Sequence, residues 1–212
     1  MAAVCRERGI WFHVDGAYGA AALAAPSVRH RFEGVELADS LIVDPHKWLF
    51  APYDSCALLY RDPARGRRAH TQEAAYLDPV AHAEGEWNPS DYAIHLTRRA
   101  RGLPLWFSLA VHGTRAYREA IEGTLAVARA ATAEIRRRPF TELVVEPDLS
   151  VVAFRRLGWT ADDHAAWSAR LLERGHAFVT PSAFRGEPMT RFAIINPRTT
   201  AADVRGIIAT MA

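Results

Sequence analysis

The stretch from Ser40 to Phe50, Ser-Leu-Ile-Val-Asp-Pro-His-Lys-Trp-Leu-Phe, constrains this chain more than any other. Leu41 to Val43 is a short apolar run, and Pro45 closes it because proline cannot donate to a β-ladder; the pattern predicts a buried strand. His46 and Lys47 then fall on the turn just past the strand end, with Trp48, Leu49 and Phe50 closing behind them. A lysine held among apolar groups loses solvation in its charged form, so its pKa is expected to fall and its neutral amine to become a nucleophile. A lone lysine beside a turn would read as a solvated surface residue.

Lys47 does not stand alone. Ile10, Trp11, Phe12 and Val14 predict a second buried strand, with Asp15 at its carboxyl end. In open α/β sheets that edge is where ligands gather. Gly16, Ala17 and Gly19 keep the next turn small enough for a flat ligand to approach the backbone. An aspartate at a strand end also serves as a helix cap or turn former. The pair is more informative: one strand end supplies a carboxylate and the other an amine. Pyridoxal phosphate chemistry uses such a set, an imine-forming amine and an anionic partner for the pyridinium nitrogen.

His13-Val14-Asp15-Gly16-Ala17-Tyr18-Gly19, Ala38-Asp39-Ser40 and Asp44-Pro45-His46-Lys47-Trp48-Leu49 together resemble the group II pyridoxal-phosphate-dependent amino-acid decarboxylases, of which aromatic-L-amino-acid decarboxylase is the best-known member. The likeness continues through Tyr76, Arg98-Arg99 and Arg191-Phe192-Ala193-Ile194. It implies an α/β, fold-type-I PLP-dependent transferase-like fold. Residues 1–113 would be the C-terminal part of the large, cofactor-binding domain, with a mobile loop over 65–92. Residues 114–212 would be a connector helix and a small C-terminal α+β domain. By the same resemblance the chain starts inside a larger enzyme, whose preceding segment holds the phosphate and stacks on the ring.

The activity implied is decarboxylation of an L-amino acid, aromatic substrates included, through a Schiff base on Lys47 with pyridoxal 5'-phosphate. Asp15 would keep the ring nitrogen protonated, Ala17 would leave room for the ring, and His46 would pack near it. Tyr76, on the loop, would deliver the proton that replaces carbon dioxide. Two positions depart from the family. Gly16 replaces the usual alanine, a change expected to be harmless. Asp44 stands where asparagine lies near the cofactor phosphate, so phosphate binding is not assigned to it. Another fold-type-I pyridoxal reaction (aminotransferase or carbon–sulfur lyase), a truncated non-catalytic chain and an unrelated α/β ligand-binding module stay open as alternatives.

Composition narrows the partners. The 212 residues are 50% hydrophobic and 24% charged, with a formal charge of +2. That near-balance offers no tail for nucleic acid, and no apolar run reaches membrane-spanning length. Cys5 and Cys56 are far apart and lack metal-type spacing, which fits a reducing cytoplasm. The nine histidines form no H-x-x-x-H pattern, so no metal site is expected. The expected partners are a small-molecule amino acid and, by resemblance, a second copy in a homodimer.

Along the chain, Met1 to Arg8 predicts a helix with Gly9 as its C-cap, and Tyr18 to Ala25 another ended by Pro26. Cys56 to Tyr60 predicts a strand closed by Asp62-Pro63, and the apolar pattern then dissolves until Tyr92. Helices are predicted over Leu103–His112 and Thr114–Arg138, the second burying Tyr117, Ile121, Leu125, Ala128, Thr132 and Ile135. Strands over 143–145, 151–154, 177–180 and 191–195, with helices after Thr160 and Thr200, predict a mostly antiparallel α+β unit. Trp48, Phe50 and Trp87 would suit an aromatic substrate, although aromatic residues near a core are usually core.

Overall fold

In the computed structural model, which describes residues 1–72 and 88–212, the chain divides into two units. One comprises Met1–Ala21 with Arg31–Val111, the other Ala22–His30 with His112–Ala212. The α/β character that the resemblance implies is carried by the first. Its helix α1 (Ala2–Glu7) stops at Arg8, and Gly9 follows at φ 62, a left-handed conformation that glycine adopts without a Cβ clash.

Strands β1 (His13–Asp15), β2 (Ser40–Val43) and β3 (Ala57–Tyr60) form a sheet in the order β1-β2-β3. β1 runs parallel to β2 with Asp15 opposite Ile42, and β3 returns antiparallel with Tyr60 opposite Ser40. The crossover from β1 uses three 3-10 turns, Gly19–Ala24, Arg29–Phe32 and Val35–Leu37, where the sequence pattern predicts an α-helix over Tyr18–Ala25. A run so short, closed by Pro26, gains too few α-helical bonds to offset nucleation.

β1 is shorter and more open than the apolar pattern suggests. Ile10 is 56% and Trp11 41% exposed. The amide of Ile10 is spent capping α1 through the Cys5 carbonyl (2.8 Å). The Phe12 amide donates to the Asp39 carboxylate (2.8 Å), while its carbonyl accepts from the Asp39 amide (2.7 Å). With those groups committed, the ladder starts at His13.

The loop expected from residue 65 is also corrected at its start. Asp62 accepts from the Ala64 amide and Pro63 occupies the first turn, which opens helix α2 (Pro63–His70). Arg67, Arg68 and His70 lie in its last turn, where cations complement the helix dipole. Gly66 is required there, since a Cβ would sit 2.9 Å from the Tyr60 ring.

Helix α3 (Leu103–Arg137) is interrupted at Gly113, whose φ 73 and ψ 162 leave helical geometry. Beyond the break, in the second unit, Tyr117, Ile121, Leu125, Ala128, Thr132 and Ile135 are buried as their spacing predicts. This unit adds β4 (Thr141–Leu143), β5 (Val151–Arg156), α4 (Ala161–Glu173), β6 (Thr180–Phe184), β7 (Glu187–Ala193) and α5 (Ala201–Ala209). Its sheet is antiparallel throughout, in the order β4-β5-β7-β6. Thr160 with Asp163 and Thr200 with Asp203 form reciprocal capping boxes on α4 and α5. The last two strands lie later than predicted for β6 and earlier for β7, because Arg185 and Gly186, both at positive φ, close a hairpin between Phe184 and Glu187. Val152, Phe154, Trp167, Leu171, Ile194, Val204 and Ile208 fill the core. No helix among the described residues is long and apolar enough to cross a membrane.

Gly16 proves constrained rather than freely exchangeable. A Cβ there would lie 2.6 Å from the Cβ of Ala20 and 2.9 Å from the Ile42 carbonyl oxygen. Gly16→Ala is therefore expected to cost about 1–3 kcal/mol by overpacking. Adding Ala20→Gly should restore part of that loss, leaving the Ile42 contact, when urea midpoints of the two variants are compared with the parent.

His164 is 1% exposed, and neither ring nitrogen meets a hydrogen-bond partner among the described residues. Burial holds its pKa below the ordinary histidine value, against a smaller upward pull from Asp163. The folded unit thus resists a proton that the unfolded chain accepts, so stability is full above the unfolded pKa and is lost as pH falls through the folded one. Thermal midpoints should drop on acidification below about pH 6.5, and His164→Phe should flatten that slope.

Candidate active site

The parallel register of β1 and β2 brings their two carboxyl ends to one edge of the sheet. Buried Ser40 locks the pairing: its hydroxyl accepts from Trp11 Nε1 (2.9 Å) and lies 2.7 Å from His13 Nδ1. Past the strand ends the two turns are joined directly, the Asp44 amide donating to the Ala17 carbonyl (3.0 Å). The residues singled out in the sequence, Asp15, Ala17, His46 and Lys47, thus lie on neighbouring turns.

Asp15 is exposed and accepts from the Ala17 amide at 3.0 Å, an Asx-type closure that orders the turn while leaving carboxylate capacity free. Ala17 presents only a methyl group. Nδ1 of His46 lies 2.5 Å from the Ser55 carbonyl oxygen and 3.2 Å from its amide, and the imidazole meets Tyr53 edge-on at 4.9 Å. Backbone contacts therefore fix this ring against the segment leading into β3.

Trp48 is fully buried and stacks on Tyr18 at 5.1 Å with 12° between planes. It is part of the core, whereas Trp87 and Tyr76 lie outside the described residues. Arg191 stands within β7 opposite Ala153, exposed, rather than at the strand's start. Arg98 donates to the Pro89 carbonyl (2.8 Å), and Arg101 pairs with Asp54 at 2.9 Å.

The environment of Lys47 reverses one expectation. Its side chain is 41% exposed, and its Nζ lies 2.7 Å from the carboxylate of Asp44, which is 12% exposed. The hydrogen bond to Asp44 raises the amine's pKa above the ordinary lysine value, outweighing the desolvation that pulls it down; the charges of Asp44, Asp15 and Cys56 add to the rise. Burial alone would push Asp44 up, but hydrogen bonds from Lys47 and Cys56, with the charges of Lys47 and His46, hold it below the usual carboxylate range. The Cys56 thiol is pushed up by burial, then by its hydrogen bond to Asp44 and that group's charge, with Lys47 opposing. Trp48 packs inward against Tyr18 and leaves the Lys47 amine at the surface, next to a carboxylate three positions earlier.

A further signal in the sequence is that Lys47 is the only lysine among 212 residues; every other Lys-or-Arg position is arginine. Arginine supplies charge but does not give up its proton, so Lys47 is the one side-chain amine of the chain that can lose one. An open cleft of about 460 Å³ elsewhere in this unit, lined by Phe12, Val14, Phe32 and Leu37 among others, includes neither Asp15 nor Lys47.

Residues 1–157 match the pyridoxal-dependent decarboxylase conserved domain. The chain belongs to that family. It is 32% identical to an aromatic-L-amino-acid decarboxylase of Bacillus atrophaeus over 98% of its own length and 45% of the relative's. It is 35% identical to the acidic amino acid decarboxylase GADL1 of Xenopus tropicalis, over 73% of this chain and 30% of that one. The structure of Oryza sativa TDC with PLP and tryptamine superposes with a TM-score of 0.87 at 29% identity, covering 99% of this chain and 45% of that one. The chain thus spans under half the length of these relatives, and its fold is part of the fold-type-I architecture.

The residues present suit the reactive half of pyridoxal phosphate. A single accessible amine and an accessible carboxylate occupy adjacent strand ends, while Asp44 has the wrong charge for the phosphate. Trp48→Ala, which empties the stacked site under this turn, is expected to cost about 3–5 kcal/mol in urea denaturation. That loss would mark Trp48 as support for the site, not a wall of a substrate pocket.

Proposed function

We propose that this chain is the lysine-bearing part of a pyridoxal-phosphate-dependent amino-acid decarboxylase, a carboxy-lyase that releases carbon dioxide and the corresponding amine. The observation that carries the reading is the placement of the sole lysine at the carboxyl end of β2, with Asp15 at the carboxyl end of the parallel neighbour. When bound, the cofactor supplies an electron sink for the bond to the departing carboxylate. Lys47 would hold the cofactor through Nζ. Asp15 holds a proton on the ring nitrogen by charge and hydrogen bonding, and the small side chain of Ala17 keeps the ring's approach open. His46, braced by Ser55, forms one wall. Tyr76 delivers a proton to the substrate carbon.

Relatives of similar identity are named for aromatic and for acidic substrates. The reading therefore commits to the α-amino and α-carboxylate groups of an L-amino acid rather than to one side chain. A cytoplasmic homodimer fits the two free cysteines and the exposed apolar face of Leu103, Trp106, Phe107 and Val111.

Incubation with pyridoxal phosphate followed by borohydride should place the reduced label on the Lys47 peptide, and Lys47→Ala should abolish that side-chain label. Label confined to the terminal amine would count against the reading. In a decarboxylating preparation, Tyr76→Phe should lower carbon dioxide release by about 10²-fold or more while leaving labelling intact.

A further inference from the structure

The mechanism above has no use for Asp44, yet this is the best-placed carboxylate in the site. Asp44 is mostly buried, its amide is anchored on the Ala17 carbonyl, and its own carbonyl accepts from the Lys47 amide at 2.9 Å. The turn so formed aims the carboxylate back at Nζ, 2.7 Å away. The Cys56 thiol lies at the entry to β3, where burial first and then the Asp44 carboxylate push its pKa up. One anion thus contacts the Lys47 amine and acts electrostatically on the Cys56 thiol.

We propose that Asp44 is a positioning residue that holds the Lys47 amine in its charged, unreactive form and masks the Cys56 thiol with the same carboxylate. This rests on the reading of Lys47 as the cofactor's attachment point. An ammonium ion has no lone pair, so Nζ must release a proton before it can bond to an aldehyde carbon. A carboxylate in contact stabilises the charged form and opposes that release. Toward Cys56 the sign is the same in effect, because a thiolate beside a carboxylate is disfavoured and the thiol stays protonated. The other ionisable groups facing this cluster act on its two ends: Asp15 adds to the retention of charge on Lys47, and His46 favours the ionised form of Asp44.

The test is competitive acetylation of the full chain with acetic anhydride across about pH 6 to 11, a range spanning the ordinary amine values. The Lys47 peptide is quantified against the terminal amine, and iodoacetamide alkylation of Cys56 is timed in parallel. Asp44→Asn, nearly isosteric, should move the Lys47 midpoint to lower pH and speed Cys56 alkylation several-fold at neutral pH. Asp44→Ser should do the same, which guards against one variant failing to fold, with circular dichroism reporting the fold of each. Asp44→Glu should return both readouts toward the parent.

An unmoved Lys47 midpoint in folded Asp44→Asn and Asp44→Ser overturns the proposal, as does an equal shift in Asp44→Glu. Acetylation involves no pyridoxal phosphate, so the two readings fail separately. A moved midpoint with no cofactor label on Lys47 supports Asp44's role and removes the cofactor reading. Cofactor label with an unmoved midpoint does the reverse.

Discussion

The site depends on the parallel pairing of β1 with β2. Parallel strands share their carboxyl ends, so only this pairing can put Asp15 and Lys47 on one edge of a sheet. A three-residue strand has little ladder of its own, and the pairing is held by side chains. Buried Ser40 binds Trp11 and contacts His13, and Asp39 satisfies both backbone groups of Phe12. The Ala38-Asp39-Ser40 segment is thus a clasp at the amino ends of the two strands, and the register it sets brings Asp15 and the Lys47 turn together at their carboxyl ends.

Charge, more than burial, governs what Lys47 can do. The apolar run after it had suggested a desolvated amine of low pKa. In the fold, Trp48 turns inward to stack on Tyr18 and leaves Lys47 half-exposed against Asp44. Contact with a carboxylate at 2.7 Å dominates the modest desolvation of a side chain that still sees water. Reactivity at this strand end is therefore set by a neighbour three residues away and not by the apolar residues behind it.

The second unit is built by different means. Its helix starts are written locally, in two Thr/Asp capping boxes, and its core is a continuous cluster around Phe154, Trp167 and Ile208. Where its strands were misplaced, the cause was a hairpin with two residues at positive φ, one of them arginine. Arginine there gives no turn signal of the kind Asn or Asp before glycine would give. In the first unit the missed helix α2 did carry its signal, Asp62 followed by Pro63, but its residues are so polar that periodicity could not reveal it.

Some properties were settled by sequence alone because they are local or chemical. These include the strand-ending Pro45, the capped helices, the buried face of α3 beyond Gly113 and the identity of the one deprotonable amine. The resemblance of Asp15, His46 and Lys47 to the decarboxylase motifs belongs here too, since order and spacing carried it into a family that the comparisons bear out. Tertiary structure alone decided the rest: that Ile10 and Trp11 stay exposed, that Gly16 is hemmed in by Ala20 and Ile42, and that Asp44 faces both Lys47 and Cys56. The reason is physical. Spacing along the chain fixes which way a side chain leaves its own strand or turn, but its burial, its clashes and its electrostatic partner come from segments that only the fold brings within a few ångströms.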